Sequence, residues 1–416
     1  MTGVLRLALA DLRFRALAAG FNVLLLALGI AIVAVLLRLG GQVERSLQRD
    51  LAGIDLVVGA KGSPLQLVLS AALHVDVPTG NILLSDAEAL AANPLVRQAI
   101  PVALGDNARG FRIVGTSAAY PAHYGAALAA GRLWFAPMEA VLGSDAAAGL
   151  GLRVGDGFVG SHGLVADEAH HDEEEHGDGD HAEHVEDDEH GHHPYTVVGV
   201  LAPTGTVLDR LILTDVASVW EVHAVHDEGT QAPPREITAM LVTYRTPLAA
   251  ASMPRLVNAT TAMQAASPAF EVARLVKLAG FGTDAVRSVA YGLMGLAALG
   301  FFATLFGAIH DRRYDIVLLR SLGATRARVF AVVLAEGAAL ATAGIVAGFA
   351  LSHALMAGAA AWIGASHRIA VGSALLEPAE LWIAAGALAL GLASALVPAM
   401  MAYRVDVART LARGPA

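Results

Sequence analysis

The chain has 416 residues, of which 55% are hydrophobic and 16% charged, with a mean hydropathy of +0.56. This is too apolar for an ordinary soluble protein or a disordered chain, so a membrane protein with a large water-exposed part is expected. The absence of cysteine excludes a disulfide framework, thiolate zinc sites and cysteine catalysis. The net charge of −10 is concentrated in residues 167–189, which hold 13 carboxylates and no Lys or Arg, so no nucleic-acid partner is implied.

In chain order, residues 1–15 read as a cytoplasmic segment in which Leu5–Phe14 forms a short amphipathic helix on the membrane surface. Residues 16–39 contain a first membrane span, charge-free from Ala16 to Leu37. Its apolar run is longer than that of a signal peptide, and no small-residue cleavage site follows, so it reads as a retained helix. Residues 40–285 form a large outer domain. Further spans are expected at 288–309, 329–355 and 381–403, the third containing Glu336 and His353 and the fourth Pro398. Residues 310–328 form a loop between spans two and three, 357–380 an outer loop and 404–416 a tail.

Arginine sets the orientation. Arg6, Arg13 and Arg15 precede the first span, Arg312, Arg313, Arg320, Arg326 and Arg328 fill the 310–328 loop, and Arg404, Arg409 and Arg413 follow the last span. Basic residues collect on the cytoplasmic side, so both termini are expected inside and the large domain outside. The expected fold is an α-helical membrane protein with four transmembrane helices and a large α+β extracytoplasmic domain containing a β-rich subdomain.

The loop from His310 to Arg328 alternates apolar Ile316, Leu318, Leu319 and Leu322 with charge at near-helical spacing, and Gly323 reads as the residue that ends a short helix. Such a helix, held between two spans, is suited to receive a push from a partner. Arg312, Arg313, Asp315 and Arg320 would orient that partner by charge, while Leu319 and Leu322 fill a groove in it. Gly344 and Gly348 form a GxxxG that lets another helix approach closely.

The run RRYDIVLLRSLGATRARVFAVVLAEGAALATAGIVAG resembles the signature of MacB/FtsX-type ABC transporter permeases. VPAMMAYRVDVARTL resembles that family's C-terminal pattern. EAVLGSDAAAGLGLRVGDGF and YTVVGVLAPTGTVLDRLIL, separated by an insert, resemble its periplasmic core. The resemblance implies a non-catalytic permease, acting as a homodimer in the bacterial inner membrane. ATP would be bound and hydrolysed by a separate ABC ATPase subunit that moves the cytoplasmic loop, and the outer domain would move in response. The only lysines are Lys61 and Lys277, and the GAKGSP around Lys61 is not a P-loop. Neither H-E-x-x-H nor G-x-S-x-G occurs, so no enzyme signature competes. Lipoprotein extraction, or regulation of a periplasmic hydrolase without transport, stand as alternatives for this family.

Two features suggest metal. Residues 162–193 contain His162, His170, His171, His176, His181, His184, His190, His192 and His193 among Asp, Glu and Gly. This composition buries no core and reads as a disordered loop between two strand-like segments. Imidazole with carboxylate suits Zn2+, so zinc traffic, with a periplasmic metal- or substrate-binding partner, is the finer expectation. A solvated acidic tract is the plainer one. His74 and Asp76, in the 55–82 stretch, stand at i, i+2 and would share one face of a strand as two metal ligands; an ordinary hydrogen-bonded His74 is the alternative.

Overall fold

A computed structural model of the chain describes residues 16–161, 194–224, 234–311, 313–363 and 378–404. These fall into two compact units. One spans residues 45–277, and the other combines the described residues before 45 with those after 277.

The first unit begins in the last turns of helix α1 (Ala16–Asp50) and continues as β1 (Leu56–Ala60), α2 (Pro64–Ala71), β2 (Ile82–Leu83), α3 (Leu84–Ala91), β3 (Val96–Ala108), β4 (Phe111–Thr116) and α4 (Ala119–His123). There follow β5 (Leu128–Gly131), β6 (Glu139–Leu142), α5 (Ser144–Leu150), β7 (Gly157–Phe158), β8 (Tyr195–Leu201), a 3-10 turn (Val207–Arg210), β9 (Leu211–Asp215) and α6 (Val216–Ala224). The unit closes with β10 (Glu236–Ile237), β11 (Ala239–Tyr244), α7 (Ala249–Thr260), β12 (Met263–Ala266) and the start of α8 (Pro268–Asp311).

Ten strands make one mixed sheet, in the order β12-β1-β11-β3-β4-β9-β6-β8-β5 with β7 also on β8. The pairs β4–β9 and β6–β8 are parallel and the others antiparallel. Burial on both faces explains the unbroken apolar runs. In β1, Val57 joins one core cluster with Leu67, Ile100, Val114, Leu213 and Leu241, while Leu56 and Val58 join a second with Met240, Val242, Met253 and Val257. A third cluster, including Ile113, Leu142, Tyr195 and Val197, serves the β6–β8 half of the sheet.

The two strands that connect to the long helices are neighbours. β1 follows α1, β12 precedes α8, and they pair antiparallel with Val57 opposite Ala266 and Ala60 opposite Met263.

The second unit holds the apolar part of α1, the rest of α8, α9 (Arg313–Ser321), α10 (Arg326–Ile363) and α11 (Pro378–Tyr403). Four of these helices are long and apolar enough to cross a membrane. The expected spans at 16–39, 288–309, 329–355 and 381–403 each lie inside one of them. At 35 and 44 residues, α1 and α8 run on well beyond their apolar stretches. At about 1.5 Å per residue both exceed the ~30 Å hydrocarbon core of a bilayer.

Close helix approaches use small residues. A Cβ on Gly344 would lie 2.6 Å from Leu26 Cδ2, and one on Gly348 2.8 Å from Ile30 Cβ and 2.9 Å from the Ala27 carbonyl oxygen. The helix that the GxxxG admits is therefore α1 of the same chain. Two turns earlier on α10, Gly337 packs against Ala395 and the Gly391 carbonyl of α11.

Candidate functional site

The 310–328 loop contains the expected short helix, α9, and ends it as expected. Gly323 has φ +100°, the Gly323 N–H donates to the Arg320 carbonyl (3.1 Å) and the Ala324 N–H to the Leu319 carbonyl (3.0 Å). This is a Schellman stop, which places a residue without Cβ in the left-handed region. Two residues later, the Thr325 hydroxyl accepts the Arg328 N–H at 3.2 Å and caps α10. The turn between helices is thus closed by its own hydrogen bonds.

The apolar stripe read along this helix divides in two. Ile316 packs against the cluster of Leu305, Ile309, Val329, Val333 and Ala399, and Val317 is fully buried. Leu318 and Leu319 are exposed, and Leu322 is 83% exposed. One side seats the helix on the bundle and the other offers leucine to whatever lies beyond. Arg312 lies outside the described residues. Arg313 and Asp315 stand in the first turn of α9, and Arg320 in its last.

His74 and Asp76 occupy a loop between α2 and β2, so the expected strand face is absent there. His74 has φ +56°, which a strand cannot accommodate. Its Nε2 lies 2.9 Å from the Tyr120 hydroxyl. Tyr124 donates its own hydroxyl proton to the Asp50 main-chain carbonyl, and its ring meets that of Tyr120 edge-on with centroids 5.7 Å apart. His74 Nδ1 is buried without a hydrogen-bond partner among the described residues.

Burial, reinforced by the nearby guanidinium groups of Arg112 and Arg210, lowers the His74 pKa to about 3. Burial likewise pushes the Tyr120 and Tyr124 hydroxyls up. Arg112 reaches the Asp76 carbonyl at 2.8 Å, and Asp76 Oδ1 accepts the Val77 N–H. Two guanidinium groups around a neutral imidazole oppose a divalent cation. Among the described residues, no group of three His, Asp or Glu is arranged to hold a metal.

The same network grips the chain where α1 ends. Arg210 pairs with Asp50 at 3.7 Å, His123 Nε2 lies 2.8 Å from the Ala52 carbonyl, and Thr243 donates to the Gly53 carbonyl at 2.6 Å.

His162, His170, His171, His176, His181, His184, His190, His192 and His193 lie outside the described residues. The attachment of their segment is described. It leaves after Ser161, which exchanges two backbone hydrogen bonds with Asn107 (3.0 and 2.8 Å), and returns at Pro194 just before β8. The flanking β7 and β8 pair through Phe158 and Tyr195, whose rings stack at 5.2 Å.

One constellation escaped the sequence reading. Arg38 of α1 forms a two-point ion pair with Glu380 of α11, Nε–Oε1 at 2.5 Å and Nη2–Oε2 at 3.0 Å. Its Nη2 also lies 2.9 Å from His353 Nε2 of α10. Arg38 is 9% and Glu380 1% exposed. In the sequence, Arg38 and Glu380 look like the polar boundaries of two spans.

Residues 19–262 match the family model described as the MacB-like periplasmic core domain, and residues 287–407 that of the FtsX-like permease C-terminal domain. The periplasmic region of MacB from Actinobacillus actinomycetemcomitans is 13% identical with a TM-score of 0.34, over 55% of this chain and 95% of that one. The extracellular domain of the noncanonic ABC-type transporter YknZ from Gram-positive bacteria is 12% identical with a TM-score of 0.30, over 50% of this chain and 98% of that one. A comparison with curated proteins returned no match. With its two matched regions together spanning most of its length, the chain belongs to the MacB/FtsX-type family of ABC transporter permeases.

Proposed function

We propose that this chain is the membrane subunit through which a separate ABC ATPase moves an outer domain. In this reading α9 faces the cytoplasm, both termini lie there, and residues 45–277 stand outside the inner membrane of a bacterium. Two copies pair, and the ATPase docks on α9 of each. The chain itself is non-catalytic, and ATP is bound only by the partner. The observation that carries the reading is the divided face of α9. Ile316 and Val317 root the helix in the bundle, while Leu318, Leu319 and Leu322 remain exposed. An apolar edge on a rigidly stopped helix suits a groove in a partner, and Arg313, Asp315 and Arg320 give that docking a charge pattern.

Leu322→Asp tests it. The substitution leaves the packed side of α9 untouched but places a carboxylate in the docked interface, where desolvation costs several kcal/mol. Co-purification of the ATPase and stimulation of its turnover should both fall by at least ~100-fold. Wild-type co-purification and turnover with a folded mutant would remove the docking role.

The substrate reading rests on residues 162–193. Nine histidines among 13 carboxylates suit several exchanging zinc ions of modest affinity, making divalent metal the cargo or signal, with a periplasmic metal-binding protein as a further partner.

A further inference from the structure

Helix α8 is held near both ends and unsupported between them. Close to its start Pro268 and Glu271 are buried, and further on Ala290, Ala297, Phe301 and Leu305 are buried. Between Glu271 and Ala290 none of the described side chains is buried. The boundary between the two compact units, after Lys277, falls in the same stretch. A helix in a protein draws most of its stability from packing, so an unpacked stretch depends on what its own residues supply.

From Gly280 to Ser288 they supply little. Gly280 and Gly282 stand in the helix interior, and neither has the left-handed φ that calls for glycine. Among the described residues, nothing lies within 4 Å of either Cβ position. Neither glycine therefore makes room for a neighbour, in contrast to Gly344 and Gly348 on α10. What each does is weaken the helix, by about two- to fivefold in the local equilibrium relative to alanine.

Two hydroxyls turn back on the same stretch. Thr283 Oγ1 donates to the Gly280 carbonyl at 2.9 Å, and Ser288 Oγ to the Asp284 carbonyl at 2.8 Å. Such bonds compete with the helix ladder and bend it. Against them stands the Asp284–Arg287 ion pair at 3.2 Å, in which the Asp284 side chain is 71% exposed. A pair so open to water adds little.

We propose that residues 280–288 of α8 are a hinge, a short stretch that bends and transiently opens while the helix on either side stays formed. The hinge is a property of this helix alone and stands whether or not an ATPase docks on α9.

The chain has no cysteine, so Ala273→Cys and Val289→Cys, both at exposed positions, place one spin label on each side of the hinge. The full-length protein would be studied in lipid nanodiscs, diluted with unlabelled protein so that only pairs within one chain are read. A straight helix sets the two backbones about 24 Å apart. Pulsed dipolar spectroscopy should show a broad distribution reaching shorter distances in the wild-type background. With Gly280→Ala and Gly282→Ala added it should narrow to a single distance. Alanine fits both positions, so this variant keeps the fold. Distributions that do not differ overturn the hinge, and a second copy packed along the stretch would give that result.

If the labelled proteins fold poorly, hydrogen exchange of the unlabelled ones decides. Measured against those of α7, amides 281–288 should exchange about five- to thirtyfold more slowly with both alanines present, the compounded effect of two glycines. Equal rates with and without the alanines overturn the proposal.

Discussion

Replacing His74 with asparagine separates two contributions of that side chain to the core domain. Asparagine tolerates the φ of +56° and carries no titrating group, but it loses the bond to Tyr120. At neutral pH that loss costs about 1 kcal/mol. Acid reverses the order. The folded imidazole titrates at about 3 because it is buried beside Arg112 and Arg210, whereas the unfolded one titrates near 6.5. Between those values the unfolded chain binds the proton that the folded chain refuses, so stability falls as pH drops through 6.5 and continues to fall toward 3. At about pH 5 the wild type has lost about 2 kcal/mol by this route, which His74→Asn does not lose. Wild type should therefore be the more stable protein above about pH 6 and the less stable below it. Denaturant unfolding in detergent, followed by the fluorescence of Trp134 in the same core cluster as Tyr120, reads both curves. The other histidines titrate alike in the two proteins and cancel. Stability curves that stay parallel from neutral pH down to about pH 5 would refute a buried neutral His74.

Gly348→Val should drive a methyl into Ile30 and the Ala27 carbonyl and lower stability in detergent by about 1–3 kcal/mol. Gly358→Val, on the same helix with nothing within 4 Å of its Cβ position, should cost less than about 1 kcal/mol by the same thermal melt. Deleting Glu168–His190 should leave the melting temperature unchanged, because Ser161 stays bonded to Asn107 and β7 to β8. The deletion should remove most zinc uptake by calorimetry, and equal uptake by both proteins would leave the insert an acidic spacer.

The four spans were legible because a charge-free run of about 20 apolar residues has few other uses. The stop of α9 was legible because Gly323 followed an apolar-charged alternation. The full lengths of α1 and α8 were not, since their polar ends carry no apolar stripe to mark them as helix. The loop at His74 was misread as strand because alternation in three residues resembles a pleat, whereas a left-handed backbone leaves no trace in residue type. Arg38 and Glu380 misled for a different reason. A charge at the edge of an apolar run reads as a boundary, and only the fold brings positions 342 residues apart into one ion pair. The exposed and seated sides of α9 could not be separated for the same reason, because Ile316 and Leu319 are equally apolar and differ only in what lies beside them.

The pairing of β1 with β12 has an engineering consequence. Val57 and Ala266 are facing partners, so the chain leaves the core sheet about 5 Å from where it came in. Everything between them, some 200 residues, is a cassette whose two ends close on a single rung. A different domain of any size could be spliced at that rung, provided that its own termini lie as near to each other. Deleting the cassette and bridging the rung with a two-residue turn would preserve the spacing of the two strands' outer ends. The membrane portion could then be studied alone, and the same graft would show which behaviour belongs to the cassette.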